Sequence, residues 1–329
     1  MKDKRKVVVA SVLVLMVIII GSIILYGYAT FNKVNNVQLP KSDEELGIVK
    51  PPENNTEEPS EANVPLQKWK VTNILLLGID KGENASDTMI VLTLDETNQK
   101  LKLTSLMRDS KIYFGEGKVN KLNYAYHYGG ALLTIKTINE TYKLDIKNYI
   151  KVDFEALIAV IDTLGGVDIN VKAEEIDYLN SVINIIAEQS NLTAKLVKAP
   201  GMQRLNGIQA LGYSRIRKIG NQDFERTERQ RKVLESLFKR VKDTPAVKYP
   251  SILSQIAPLL ESSMDTGELL SIIGNGMSYG RNGIEQTRLP IDGTWSHDTS
   301  GQTYYLNWNK QPNLEHLHKF IYGNTLRIQ

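Results

Sequence analysis

NILLLGIDKGENASDTMIVLTLDETNQKLKLTSLMRD, residues 73–109, carries the pattern of a sheet interior. Ile74-Leu75-Leu76-Leu77-Gly78 is apolar without interruption and ends in a turn, as a central strand buried on both faces does. Thr88 to Leu94 and Leu101 to Met107 read as the next two strands, with Asp95-Glu96-Thr97-Asn98 as the turn between them. Downstream, Tyr149 to Val152 and Val167 to Val171 read as strands flanking a helical pattern at Phe154, Leu157, Ile158 and Ile161, which Gly165-Gly166 terminates. That is a β-α-β unit. Helical periodicity recurs over Gly129 to Thr141, Asn206 to Tyr213, Phe224 to Lys242 and Gly267 to Met277. These elements predict an α/β fold, an α-β-α sandwich with a central mixed sheet.

Working outward, residues 41–65 are rich in Pro, Glu, Asn and Ser and too poor in large apolar residues to repay ordering, so 30–69 is expected to be a disordered, flexible tether. Before it, Val7 to Tyr26 is an uncharged run that reaches ~30 Å as a helix, the thickness of a hydrocarbon core. Gly27-Tyr28-Ala29 has cleavage-like small residues, but the run exceeds the ~7–15-residue core of a signal peptide, so 7–29 reads as a transmembrane anchor. Four basic residues in MKDKRK keep residues 1–6 in the cytoplasm and place the rest outside it. The expectation is a single-pass protein of the cell membrane whose residues 70–329 form one extracytoplasmic domain.

Composition excludes several chemistries. The chain has no cysteine, hence no disulfide, thiolate metal site or cysteine nucleophile. It also has no glycine-rich P-loop. The net charge of +3 does not mark a nucleic-acid binder, and six cytoplasmic residues cannot hold a DNA-binding motif.

Polar residues gather at strand ends, where open α/β sheets build their sites. Asp80 follows the first strand, Ser86-Asp87-Thr88 opens the second, and Arg108-Asp109 closes the third. Paired carboxylates beside basic groups suit a hard cation such as Mg²⁺, although Asp80 and Asp87 equally suit the capping of turns. A second cluster runs from Arg204 to Arg240, with ten Lys or Arg against four acids. Arg215 and Arg217 alternate, so they project to one face of an extended segment, and Arg226, Arg229 and Gln230 share one side of a helix that Asp223 can cap. Guanidinium forks fit phosphate oxygens, so this wall suits a pyrophosphate; a solvated basic face paired with Glu225, Glu228 and Glu235 fits the same residues. A third segment, Lys118 to Gly130, places Lys121, amides and aromatics before a helix, where anions are held readily; His127 within it reads as a surface residue rather than a base.

At these residues the chain resembles the LytR-CpsA-Psr family of cell-wall glycopolymer ligases. The matching pieces are Leu77-Gly78-Ile79-Asp80, Ser86-Asp87-Thr88-Met89, Leu106-Met107-Arg108-Asp109, Lys121 to Tyr126, Leu164-Gly165-Gly166-Val167 and the stretch Tyr213 to Arg231, in family order over about residues 70–232. The resemblance implies a phosphotransferase that binds a polyprenyl-pyrophosphate-linked glycopolymer with Mg²⁺ and moves the polymer to peptidoglycan. It puts the metal on Asp80 and Asp87, and the pyrophosphate on Arg108, Arg215 and Arg217, with Lys121, Arg226 and Gln230 beside them. Lys81 departs from the arginine of many members, and the loop 81–85 is short. A hydrolase using water as acceptor, and a non-catalytic sensor of the lipid-linked polymer, are the alternatives. Which polymer is moved, teichoic acid, capsule or another glycan, is not written in these motifs.

Overall fold

The computed structural model describes residues 33–49, 70–80, 82–114, 118–217, 219, 223–280 and 283–323. Among them, β2 (Val71–Asp80), β3 (Ala85–Asp95) and β4 (Lys100–Leu106) form the antiparallel centre of a sheet. On one side β7 (Asn148–Asp153) lies parallel to β2, followed by β10 (Glu261–Ser262) and β1 (Asn35–Asn36). On the other side β11 (Ile284–Leu289) runs parallel to β4. The order β1-β10-β7-β2-β3-β4-β11 is therefore mixed, as predicted.

Alternation sorts the apolar residues to the two faces of this sheet. Leu75, Leu77 and Ile79, with Met89 and Val91, pack on α1 (Tyr124–Tyr142) and α8 (Lys310–Tyr322). Ile74, Leu76 and Leu94 turn the other way, toward α6 (Tyr249–Ile256) and α7 (Thr266–Tyr279). A further core lies among α2 (Phe154–Thr163), α3 (Ile176–Gln189), α4 (Gly207–Ser214), α5 (Asp223–Asp243) and the hairpin of β8 (Val167–Val171) with β9 (Gly201–Leu205). Gly165 and Gly166, at φ +78° and +91°, close α2 where the sequence predicts its end. Two small hairpins, β5 (Lys111–Phe114) with β6 (Lys118–Lys121) and β12 (Trp295–Asp298) with β13 (Tyr305–Trp308), border the ends of the central strands.

Two departures from the sequence reading bear on the site. The helix expected from Gly129 begins at Tyr124, and Gly129 and Gly130 break it with φ/ψ of −154°/23° and 62°/−152°. Only glycine adopts the second of these without strain. The turn before the break lies against the β5–β6 hairpin, Tyr128 meeting Phe114 edge-on at 6.0 Å.

The second departure is the tether, which does not extend over residues 33–49. Asn35 and Asn36 pair with β10, and Leu46 is buried among Ile135, Ile138 and Tyr142, its carbonyl accepting from Asn139 Nδ2 at 2.8 Å. Leu46 and Val34, with Leu39 and Ile48 partly buried and a few backbone bonds, hold a polar segment that composition marks as coil. Leu46→Ala is accordingly expected to lower stability by ~2–4 kcal/mol, visible in a thermal melt, whereas a residue in a free tether would leave the melt unchanged. The apolar run 7–26 lies outside the described residues; among those described, no helix is long and apolar enough to cross a membrane.

Candidate active site

The site forms where β2 and β3 run out. Their register slips after Gly78: Gly78 faces Thr88 and Ile79 faces Ser86, so Asp87 is the extra residue of a β-bulge. Bulges re-aim side chains at sheet rims, and this one presents Asp87 near the end of β2 that carries Asp80. A side chain at position 78 would press on the pairing, since a Cβ there would stand 3.0 Å from Thr88 Cβ.

Both sequence readings of Asp80 hold at once. Its Oδ1 accepts from the Gly82 N–H at 2.9 Å, which is turn capping, while Oδ2 lies 3.6 Å from Arg215 Nη2. The Arg215 guanidinium also stacks over the Phe154 ring at 4.3 Å. Asp87 caps no turn among the described residues: it accepts from Arg108 Nη1 and lies 3.7 Å from Arg217 Nη2. Arg215 and Arg217 thus reach the site from either side of buried Ile216, as their alternation predicts. Arg108 is shared, its Nε lying 3.6 Å from Asp109 Oδ2. Burial works against its charge, but Asp87, Asp109 and Asp223 outweigh burial and hold its pKa above the ordinary value.

Beyond Arg108 lies a carboxyl pair that the sequence does not announce. Asp109 and Asp223 hydrogen-bond one another. Burial pushes Asp223 up, while Arg108 and Lys121 overcome burial at Asp109 and hold it down. Lys121 sits at the end of β6, 2.8 Å from Asp109 and 5.3 Å from the centre of the Tyr304 ring. Arg226, only 2% exposed, has Asp223 for an ion partner at 3.1 Å. Burial, reinforced by Arg108 and Arg217 and opposed by Asp223, pulls its pKa down to about 10. Its Nε and Nη1, and Nε of Arg108, are buried with no hydrogen bond of proper geometry among the described residues. Gln230 is buried one turn further along α5.

Two residues of the expected basic wall face elsewhere. Arg229 is occupied by Glu175 and Glu225 at 2.9 and 2.8 Å, and Arg231 donates to Ser105 Oγ of β4 at 2.7 Å. His127 belongs to a ring cluster with Tyr124 and Tyr128. Lys81 and Lys218 lie outside the described residues.

Three arginines on the two carboxylates, with Arg226 behind them on Asp223, and unsatisfied donors on Arg108 and Arg226, suit a ligand that is itself anionic. No group of three or more metal-ligating side chains exists among the described residues. Two carboxylates fit Mg²⁺, which commonly takes only one or two from protein and fills its shell with phosphate oxygens and water. A cavity of about 630 Å³ opens between the β5–β6 hairpin and α1, lined by Phe114, Lys118, Val119, Asn120, Tyr128 and Leu133.

Comparison with known proteins agrees in sequence and in fold. The model of the LytR_cpsA_psr family matches residues 41–319. Biofilm regulatory protein A of Streptococcus mutans is 29% identical over 259 residues, 74% of this chain, and the chain spans 61% of that protein's length. The polyisoprenyl-teichoic acid–peptidoglycan teichoic acid transferase TagU of Bacillus anthracis is 29% identical over 308 residues, 92% of either chain. Among solved structures, TagT bound to LI-WTA superposes with a TM-score of 0.64 at 24% identity, covering 78% of this chain and 91% of that one.

Proposed function

The chain belongs to the LytR-CpsA-Psr family, and from that premise we propose that it is a phosphotransferase moving a glycopolymer from a polyprenyl-pyrophosphate carrier to peptidoglycan. The observation that carries this is the set of Arg108, Arg215 and Arg217 about Asp80 and Asp87, with Arg226 on neighbouring Asp223, and with buried donors of Arg108 and Arg226 left unsatisfied. A pyrophosphate supplies the acceptor oxygens those donors lack. Similarity to a relative named as a teichoic acid transferase supports the same substrate class.

In the reaction, a hydroxyl oxygen of the wall glycan bonds to the polymer-side phosphorus. The bond from that phosphorus to the bridging oxygen breaks, polyprenyl phosphate departs, and the hydroxyl proton is released. Arginine forks hold the phosphoryl oxygens in line and offset charge that builds on the leaving group. Asp80 and Asp87 would hold Mg²⁺, whose charge supplies further neutralisation when bound. The apolar cavity has Asn120, neighbour of Lys121, in its wall and suits the carrier's isoprenoid chain. The run 7–26 serves as the membrane anchor, keeping the domain outside the cytoplasm and near a lipid-borne substrate.

The test incubates the full chain in detergent with labelled lipid-linked polymer, Mg²⁺ and peptidoglycan. Label is expected in the wall fraction, with stoichiometric release of polyprenyl phosphate. Release of polymer phosphate without wall labelling would indicate a hydrolase, and binding without turnover a sensor; either result overturns the transferase.

A further inference from the structure

Resting on the pyrophosphate reading above, we propose that the buried Glu175–Arg229 pair is the positioning element of the phosphate clamp, fixing the Ile216 carbonyl so that Arg215 and Arg217 address the two aspartates. Arg229 cannot itself meet a phosphate. It is 3% exposed, and every edge of its guanidinium is taken: Nε donates to Glu175 Oε1 at 2.9 Å, Nη2 to Glu225 Oε2 at 2.8 Å and Nη1 to the Ile216 carbonyl at 3.2 Å.

The third of these bonds reaches the site. Ile216 is the residue between the two clamp arginines, and its side chain is fully buried in the core over β8 and β9. The segment has left the helix by this point, with Arg215 as the C-cap of α4, so no regular hydrogen-bond ladder holds it. Side chain and carbonyl of Ile216 are thus pinned inward, and the residues on either side are turned outward, Arg215 to Asp80 and Arg217 to Asp87.

Glu175 is in turn held rigidly. It is 2% exposed, and its Oε2 accepts from the Lys172 N–H at 2.9 Å, closing the short 3₁₀ turn Ala173–Glu175 that leads into α3. A planar fork that spans two carboxylates and one carbonyl is a task for arginine, because an ammonium lacks the fork.

The test measures binding of octaprenyl pyrophosphate, with octaprenyl monophosphate as control, to the full chain in detergent. Glu175→Leu combined with Arg229→Met removes both charges, an exchange that a buried pair often tolerates in stability but that leaves the Ile216 carbonyl without its donor. This variant is expected to melt near wild type and to bind the pyrophosphate at least about tenfold more weakly, with a smaller loss for the monophosphate. In a background of Arg215→Ala and Arg217→Ala the same change should cost less than about twofold, because residues that act as a unit are not additive. Affinity within twofold of wild type overturns the proposal, and so does a tenfold loss that persists in full in the arginine-free background. Should the double variant fail to fold, Arg229→Lys takes its place under the same criteria. If Arg215→Ala with Arg217→Ala binds as wild type does, the pyrophosphate reading itself has failed, a result distinct from failure of the positioning pair alone.

Discussion

Asp80→Asn is expected to lose transfer by about a hundred- to a thousandfold while melting at the wild-type temperature. The reasoning separates two duties that the structure places on one side chain. Asparagine caps turns as well as aspartate does, so the bond to the Gly82 N–H survives the change. What disappears is the charge on the oxygen facing Arg215, and with it a ligand for a hard cation. Asp87→Asn is expected to be at least as inactive, since Asp87 joins Arg108 and Arg217 and caps no turn among the described residues. It should also melt lower, because buried Arg108 is left with Asp109 as its remaining close carboxylate. The measurement is transfer of labelled polymer over a Mg²⁺ titration, with melts alongside. An Asp80→Asn enzyme at wild-type rate would reduce Asp80 to a turn residue, and wild-type turnover in chelator would remove the metal from the proposal.

What the sequence makes legible follows from how far apart the cooperating residues stand. The strands from Ile74 to Met107 are legible because each signal is local: an apolar run, a turn cluster and another run. Asp80, Asp87, Arg108, Arg215 and Arg217 are legible because polar residues at strand ends and alternating arginines are local patterns too. The bulge that presents Asp87 is not, since it depends on register against β2 rather than on the composition of β3. Neither are the carboxyl pair of Asp109 with Asp223 or the pair of Glu175 with Arg229, where each partner looks like an ordinary surface charge until the fold brings the other to it. Phe154 under Arg215 is hidden similarly, for a phenylalanine opening an amphipathic helix reads as core. Helix periodicity also put Arg229 on the wall with Arg226, and only the position of Glu175 shows that it turns inward.

On the proposed reading, Arg226 trades stability for binding. A guanidinium that is 2% exposed, lacks hydrogen bonds at Nε and Nη1, and lies near Arg108 and Arg217 weakens the unliganded fold. Its pKa in the fold, about 10, lies below the ordinary 12.5, and the sign follows: a base with a lowered folded-state pKa is destabilising wherever it is charged, fully so below about pH 10, with relief only above that. Without it, Asp223 keeps its hydrogen bond to Asp109. Arg226→Met is therefore expected to raise the melting temperature by ~2–5 °C, evenly between pH 6 and 9. The same variant should bind octaprenyl pyrophosphate about a hundredfold more weakly, since a buried charged donor facing phosphate is among the strongest contacts available. The two effects meet in one measurement: saturating ligand raises the wild-type melt by mass action and leaves that of Arg226→Met nearly where it began. If Arg226→Met instead melts lower and still gains the full ligand-induced shift, Arg226 is a structural residue and the phosphate clamp ends at Arg217.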